Sequence, residues 1–569
     1  PLYNAIISID KIDTGIYEAS NFNLVNVTLN DTLYIRTDFI GGPNKLENYD
    51  LSFYHTIDER GNSVVGIKKS EINFKNNQWF INENNNDLNK LVFDKNFETF
   101  VIDKITMASG SQNVELAGAF GGDGSSIDMK LEYVNLDAIT PDIDSLSFDG
   151  KVNGQISLQK KNQKYVPLAD LTINYFSIND LYYGDLSLLA SGNDNLSEYN
   201  FDVELLNNDL VSFNSRGNID FNQKPPVILA EVLLNKIKLE AFSPLGKDVL
   251  SDIRGLATGN VTITGNLNNP DMTGEILLSN AGMSFPYLNV DYNFSDQSKV
   301  LLNKQTFDFQ TITITDTYMG TTGTLSGKIT HEGFKKWFLD LFISSQNLLA
   351  LNTEDKEGAL YYGTALIEGE TSIYGPVDDL LIDVEATTNP GTKFVIPLSD
   401  VSTVGESKLI HFVNPVDDED NEETVPFPLE KIKGLNLNFN LNVTRDAIAE
   451  IVIDKKTGSL LKGRGDGNLR LGIDMNGRFE MYGELLIDSG EYLFKNVMSK
   501  NFTVQNGGTV IWNGDPMDAN INIEALYKTK ANPSVLLQDV SSSRKIDVDL
   551  ITTLSGSFSQ TQFDFNIKI

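Results

Sequence analysis

The stretch Gly463 to Phe494, GRGDGNLRLGIDMNGRFEMYGELLIDSGEYLF, decides the fold class. Leu469, Leu471 and Ile473 alternate with Arg470, Gly472 and Asp474, and Phe479 and Met481 alternate with Glu480 and Tyr482. A period of two puts every second side chain on one side of a strand, so each half is a one-faced strand and the two form a hairpin. A two-residue Asn476-Gly477 loop would pair Ile473 with Glu480 and mix apolar with charged side chains on one face. A three-residue loop, Met475-Asn476-Gly477 with Gly477 left-handed, pairs Ile473 with Phe479 and Leu471 with Met481. The faces then stay separate.

The same rule runs through the chain. Leu435, Leu437, Phe439, Leu441 and Val443 alternate with four asparagines, and Phe201, Val203 and Leu205 follow the pattern. So do Ala519, Ile521 and Ile523; Ile546, Val548 and Leu550; and Phe563, Phe565, Ile567 and Ile569. The chain is expected to be all-β, a very long sheet with one apolar surface. Its function should follow from what that surface touches.

With 569 residues the chain has no difficulty burying a core. It has no cysteine, which excludes disulfides and Cys-ligated metal sites. A net charge of -33 argues against nucleic acid and anionic lipid surfaces as partners held by charge. An acidic outer face also keeps a long sheet soluble and discourages edge pairing. No apolar run approaches the roughly 18 residues of a membrane-spanning helix, and no signal peptide opens the chain. Since it starts at Pro1 within a strand and loop pattern, a fragment lacking its targeting segment is expected.

From Pro1 to about Ala117 the pattern is strands with Gly-rich and Asn-rich turns, and Trp79 and the run Phe97 to Ile105 are expected to pack on the apolar side. A repeat then appears. Leu131, Val134, Leu136, Ile139 and Pro141, followed by Gly150, Gly154, Ile156 and Leu158, recur as Leu234, Ile237, Leu239, Phe242 and Pro244, followed by Gly255, Gly259, Val261 and Ile263. A looser copy places Gly369 against Gly259, and another places Gly483 to Leu486 against Gly274 to Leu277. The period of about 105 residues implies several strands per unit. The expected segments are 1–130, 131–233, 234–342, 343–434 and 435–569, with a short helix or turn between Leu239 and Ile253.

Catalytic constellations are not found, and the chain is read as no enzyme, with no cofactor and no metal. His55, His331 and His411 are far apart in sequence. Asp547 and Asp549 fall on the polar face of a strand. The segment Pro415 to Thr424, PVDDEDNEET, lacks the spacing of a calcium loop and reads as a solvated loop. Gly463, Gly465 and Gly467 are not spaced as a phosphate cradle and read as strand kinks or close backbone approaches. Arg464-Gly465-Asp466 is weak grounds for cell adhesion.

The run Gly463 to Lys530 resembles the C-terminal domain of the TamB family, relatives of the AsmA-like proteins. The residues that carry this are GDGNLRLGIDMNG (Gly465 to Gly477), GELLIDSGEYLF (Gly483 to Phe494) and GGTVIWNGDPMDANINIEALYKTK (Gly507 to Lys530). LSGSFSQTQFDFNIKI (Leu554 to Ile569) is similar to the family's closing strands, and GNVTITGNLNNPDMTGEILLSNAGMSF (Gly259 to Phe285) to the superfamily's repeated unit.

The resemblance implies an elongated, U-shaped β-groove with a continuous apolar interior. It implies a place in the periplasm of a Gram-negative envelope, bridging the inner and outer membranes, with an N-terminal inner-membrane anchor that has no counterpart here. Phospholipid would move along the groove, and an outer-membrane barrel of the BamA superfamily, TamA-like, would be the partner. The lining is then expected at Leu435, Leu437, Phe439, Leu441, Val443, Leu469, Leu471, Ile473, Phe479, Met481, Ile521 and Ile523. Roughly 25 to 40 strands at about 4.8 Å spacing would suit a bridge.

Two alternatives remain. A scaffold for outer-membrane proteins would offer a strand edge, for which Phe563, Phe565 and Ile567 are the candidates. A tandem array of β-sandwiches would make a surface adhesin, although Trp79, Trp337 and Trp512 do not recur at equivalent positions and Pro-rich linkers are missing.

Overall fold

A computed structural model describes the chain except for residues 1–3, 14–17, 43–46, 76, 122–123, 141–145, 162–163, 209, 247–249, 334–335, 357–358, 360, 398–434, 456, 475–477, 496–499 and 533–543. His411, the acidic segment Pro415 to Thr424 and the Met475-Asn476-Gly477 turn lie outside the described residues. The described residues form 36 strands and only short helical turns, so the chain is all-β. None of its described helices is long and apolar enough to cross a membrane.

The chain divides into two compact units. The first comprises Pro1–Leu245, Leu256–Ile276 and Leu302–Gln305, and the second Gly246–Gly255, Leu277–Leu301 and Thr306–Ile569.

In the first unit each strand pairs antiparallel with the next, from Phe100–Ser109 through Gln112–Phe120, Ser126–Asn135, Phe148–Lys161 and Lys164–Ile178. The ladder continues through Leu181–Gly192, Glu198–Asn207, Leu210–Asp220 and Val227–Lys238 to residues 256–266 of the strand Ser251–Asn266. Its register aligns one row across the whole ladder: Ile105, Leu116, Met129, Ile156, Ala169, Ala190, Phe201, Gly217, Ala230 and Ile263. Every member is apolar or glycine. The adjoining row on the other face is Thr106, Glu115, Lys130, Gln155, Asp170, Leu189, Asp202, Arg216, Glu231 and Thr262. Leu189 is its one large apolar residue. The ladder crosses residues 233 and 234 without a break, whereas an array of separate sandwiches would interrupt it there.

Most of the apolar row is only half-buried, and Ile156 is 39% exposed. Two clusters seal parts of this face: Trp79 packs with Leu131, Val134, Leu136 and Val152, and Tyr183 with Leu205 and Ala241. Trp79 thus sits on the apolar side as expected. Phe97 lies in a turn outside the ladder, with a left-handed backbone (φ 58) and its N–H donated to the carbonyl of Asp94; it is 68% exposed, and its ring lies 5.7 Å from that of Phe93.

Short helical turns occupy Leu136–Ile139 and Glu240–Gly246, the second inside the expected helix or turn. The repeated glycines have a steric reason. A Cβ on Gly154, Gly259 or Gly369 would lie 2.1 to 2.2 Å from the carbonyl oxygen of the neighbouring strand, at Asp170, Glu275 and Glu385 respectively. Only glycine lets the backbones approach so closely.

The second unit also contains parallel pairs. Leu380–Thr388 runs parallel to Leu435–Val443, and Lys393–Pro397 to Ile448–Asp454. Three long strands each pair with two shorter ones: Tyr362–Pro376 with Leu380–Thr388 and Lys393–Pro397, Ser459–Ile473 with Leu435–Val443 and Ile448–Asp454, and Phe479–Phe494 with Gly508–Gly514 and Lys500–Val504. A crease therefore runs across the sheet between the two sets of short strands.

Candidate functional site

The hairpin has the register its faces require: Ile473 pairs with Phe479 and Leu471 with Met481. The Asp474 N–H donates to the Arg478 carbonyl and the Arg478 N–H to Asp474 Oδ1, closing the ladder at the turn. Leu435–Val443 pairs with Ser459–Ile473 so that Leu437, Phe439 and Leu441 meet Ile473, Leu471 and Leu469. Their alternate asparagines Asn438, Asn440 and Asn442 are exposed. The alternation therefore sorts the two faces as read.

A cavity of about 110 Å³ opens inside the second unit at the crease, and Phe439, Leu441, Val443, Leu469, Leu471, Ile473, Phe479 and Met481 all line it. Leu435 and Leu437 instead sit in an adjoining packed cluster with Ile382, Leu380 and Ile373. Ile521 and Ile523 pack with Val510, Trp512 and Leu554. All four are 3% exposed or less, so at these positions protein rather than open space covers the apolar face.

The cavity wall is almost entirely hydrocarbon, and its polar members are already engaged. Thr392 Oγ1 donates to the Leu366 carbonyl (2.9 Å) and accepts from its N–H (3.1 Å). Thr388 Oγ1 accepts the Thr444 N–H (2.9 Å), and Glu450 pairs with Lys393 (2.9 Å). These groups brace the crease.

Among the lining residues that sequence reasoning missed are Leu288 and Tyr361, from connecting segments, and Val384, Leu485 and Trp512, from strands. The Tyr361 ring lies 5.3 Å from that of Phe394 and 5.6 Å from that of Phe479. Burial pushes the hydroxyl pKa of Tyr361, and that of Tyr287, up. Periodicity could have placed Trp512 beside Val510 on the inner face. No period marks a loop tyrosine.

The remaining motifs have structural partners. Arg464 Nη1 donates to the carbonyls of Asp446 (2.8 Å) and Arg445 (3.3 Å), and Arg445 Nε bonds Asp466 (2.5 Å). The Arg-Gly-Asp tripeptide is thereby tied up within the sheet. His331 is buried against Phe307 and Trp337, where desolvation lowers its pKa, and His55 Nε2 meets Ser63 Oγ at 2.8 Å. Among the described residues no group of three or more metal-binding side chains could hold a metal ion. Phe563, Phe565 and Ile567 lie on the strand Gln562–Lys568, which pairs with Ile546–Ser557, and all three are exposed.

The family model for the TamB C-terminal domain matches residues 310–568. No protein of curated function matches the chain. The matched span begins within the strand Thr306–Asp316 and takes in the crease, the cavity lining apart from Leu288, and the exposed last strand. Residues 310–568 of the chain are therefore a TamB C-terminal domain.

Proposed function

We propose that this chain carries phospholipid through the periplasm, holding acyl tails against the apolar face of its sheet while the headgroups stay in water. The observation that supports this most is the row from Ile105 to Ile263 in the first unit, apolar or glycine on ten successive strands and largely half-buried. A row covered by a second sheet would be sealed. One left partly open has room for a hydrocarbon guest.

The energy is sufficient. A tail of about 16 carbons costs on the order of 10 kcal/mol in water at about 0.8 kcal/mol per methylene, and an apolar face removes much of that cost. Movement also requires that no position hold the lipid too well, and this row has no charged side chain to trap a headgroup. In the same proposal an N-terminal anchor ties the protein to the inner membrane and a barrel of the BamA superfamily receives the lipid at the outer membrane. The test is transfer of labelled phospholipid between vesicles: Phe201→Asp should slow it, whereas Glu204→Lys on the outer face should not.

A second reading, an assembly scaffold for outer-membrane proteins, is supported by the exposed strand Gln562–Lys568 with its three large apolar side chains. Such a strand can add a partner strand by backbone pairing.

A further inference from the structure

We infer that the polar face of the second unit, along the asparagines of the strand Leu435–Val443, binds a neutral, extended oligosaccharide. The lipid reading concerns the opposite, apolar face. Neither depends on the other.

Asn436, Asn438, Asn440 and Asn442 fill every polar-face position between Leu435 and Val443. Asparagine is depleted in strands, where threonine would suit the same outward position better. A run that goes against local preference at successive outward positions is the kind of exception that functional sites carry. The register widens the stripe. Asn442 stands between Thr387 and Asn468, and Asn440 between Glu385 and Arg470. Asn436 Nδ2 donates to Asp379 (3.2 Å) and Asn442 Nδ2 to Thr387 Oγ1 (3.4 Å). Among the described residues, the side chains of Asn438, Asn440 and Asn468 have no hydrogen-bond partner. Each of these amides has two N–H donors and a carbonyl acceptor to offer.

The face is not flat here. A shallow trough of about 730 Å³ lies over it, lined by Thr387, Asn440, Asn442 and Asn468. Donors and acceptors set side by side match sugar hydroxyls, each of which both donates and accepts. Aromatic rings meet the other need of a sugar, a cover for the apolar face of its ring, because tyrosine joins an apolar body to a polar tip. Tyr482 lines the trough with the Arg470 guanidinium 5.0 Å from its ring centroid. Tyr374, 54% exposed, stands on the same face with Leu381 between it and Asn436. Charge then selects the sugar. The trough holds two carboxylates, Glu368 and Glu385, against the one guanidinium of Arg470, in a chain of net charge -33. An anionic polysaccharide would be repelled, and a neutral one would not.

The test is titration calorimetry of the intact chain with chitopentaose, cellopentaose and a pentamer of galacturonic acid. A neutral pentamer should bind and the anionic one should not. Binding of chitopentaose alone would mean that N-acetyl groups are recognised, of cellopentaose alone that they are excluded, and of both that ring hydroxyls suffice. Asn440→Thr and Asn468→Thr separate binding from folding. Threonine suits a strand better, so each should keep or raise the urea midpoint yet weaken binding about five-fold, as loss of one hydrogen bond would. Asn222→Ala, at an exposed bend of the first unit, should leave binding unchanged. The site is overturned if neither neutral pentamer binds, if the anionic one binds as well as they do, or if both threonine variants bind like the parent. The asparagine stripe would then be a solvated face and nothing more.

Discussion

Leu437 stands directly opposite Ile473 in antiparallel register and beside Ile382 in parallel register, and it is 1% exposed. The residue at the centre of the most regular alternation in the chain is therefore sealed by its neighbours. Leu437→Ala should cost about 2–5 kcal/mol, as truncation of a buried leucine does. The exposed neighbour substitution Asn438→Ala should stay within about 0.5 kcal/mol. Urea unfolding measures both, and equal costs would mean that the face assignment is wrong. A charge at Leu437 would test folding rather than lipid passage.

The three glycines of the Gly463 to Gly467 run are not equivalent. A Cβ on Gly465 or Gly467 would meet the carbonyl oxygens of Leu486 and Glu484 at 2.1 and 2.2 Å, but on Gly463 its nearest neighbour is 3.4 Å away. Gly465→Ala and Gly467→Ala should each destabilise by about 1–3 kcal/mol, the range for forcing volume into packed structure. Gly463→Ala should be tolerated. Thermal unfolding of the three variants gives the comparison, and equal losses would contradict it.

Asp291 joins strands of the second unit through Arg254, with Nη1 to Oδ1 at 2.7 Å and Nη2 to Oδ2 at 3.1 Å. Burial alone would raise its pKa, but hydrogen bonds from Arg254, Ser284 and Thr317 outweigh that and hold the carboxyl below its ordinary range. A depressed folded-state pKa contributes stability above the unfolded value of about 3.9, and that stability is lost as pH falls through the folded value. Asp291→Asn should therefore be less stable than the parent at pH 7, with the gap narrowing as pH drops below about 4. Urea midpoints across that range decide it. A gap that does not change with pH would show the carboxylate to be uninvolved.

The exposed strand Gln562–Lys568 can be tested apart from the lipid path. Phe565 is 55% exposed and faces Thr552 across the strand pair. Phe565→Lys should leave the circular dichroism spectrum and unfolding midpoint unchanged, yet weaken binding to an outer-membrane barrel of the BamA family measured by pull-down. Undiminished binding would remove the edge-strand reading.

The faces of the strands were legible in the sequence because they depend on a local period. The Ile473–Phe479 register was legible too, since a hairpin turn leaves few choices. The parallel partner of Leu435–Val443 was not. The strand Leu380–Thr388 lies far back in the chain, and nothing local selects a parallel neighbour. Nor does alternation say what covers a face: Phe201 and Leu437 obey the same rule, yet one is half-buried and the other sealed. The cavity depends on that covering, and on Leu288 and Tyr361 from connecting segments, whereas Trp512, Val384 and Leu485, on alternating strands, had a readable signal.

The central claim is that acyl tails lie on one face of the sheet and not on the other. Photocrosslinking amino acids placed singly at Phe201 and Val203, and at Asp202 and Glu204 on the opposite face, test it most directly in protein exposed to phospholipid. Mass spectrometry should find lipid adducts at Phe201 and Val203 only. Equal adducts from both faces, or none at Phe201 and Val203, would contradict it.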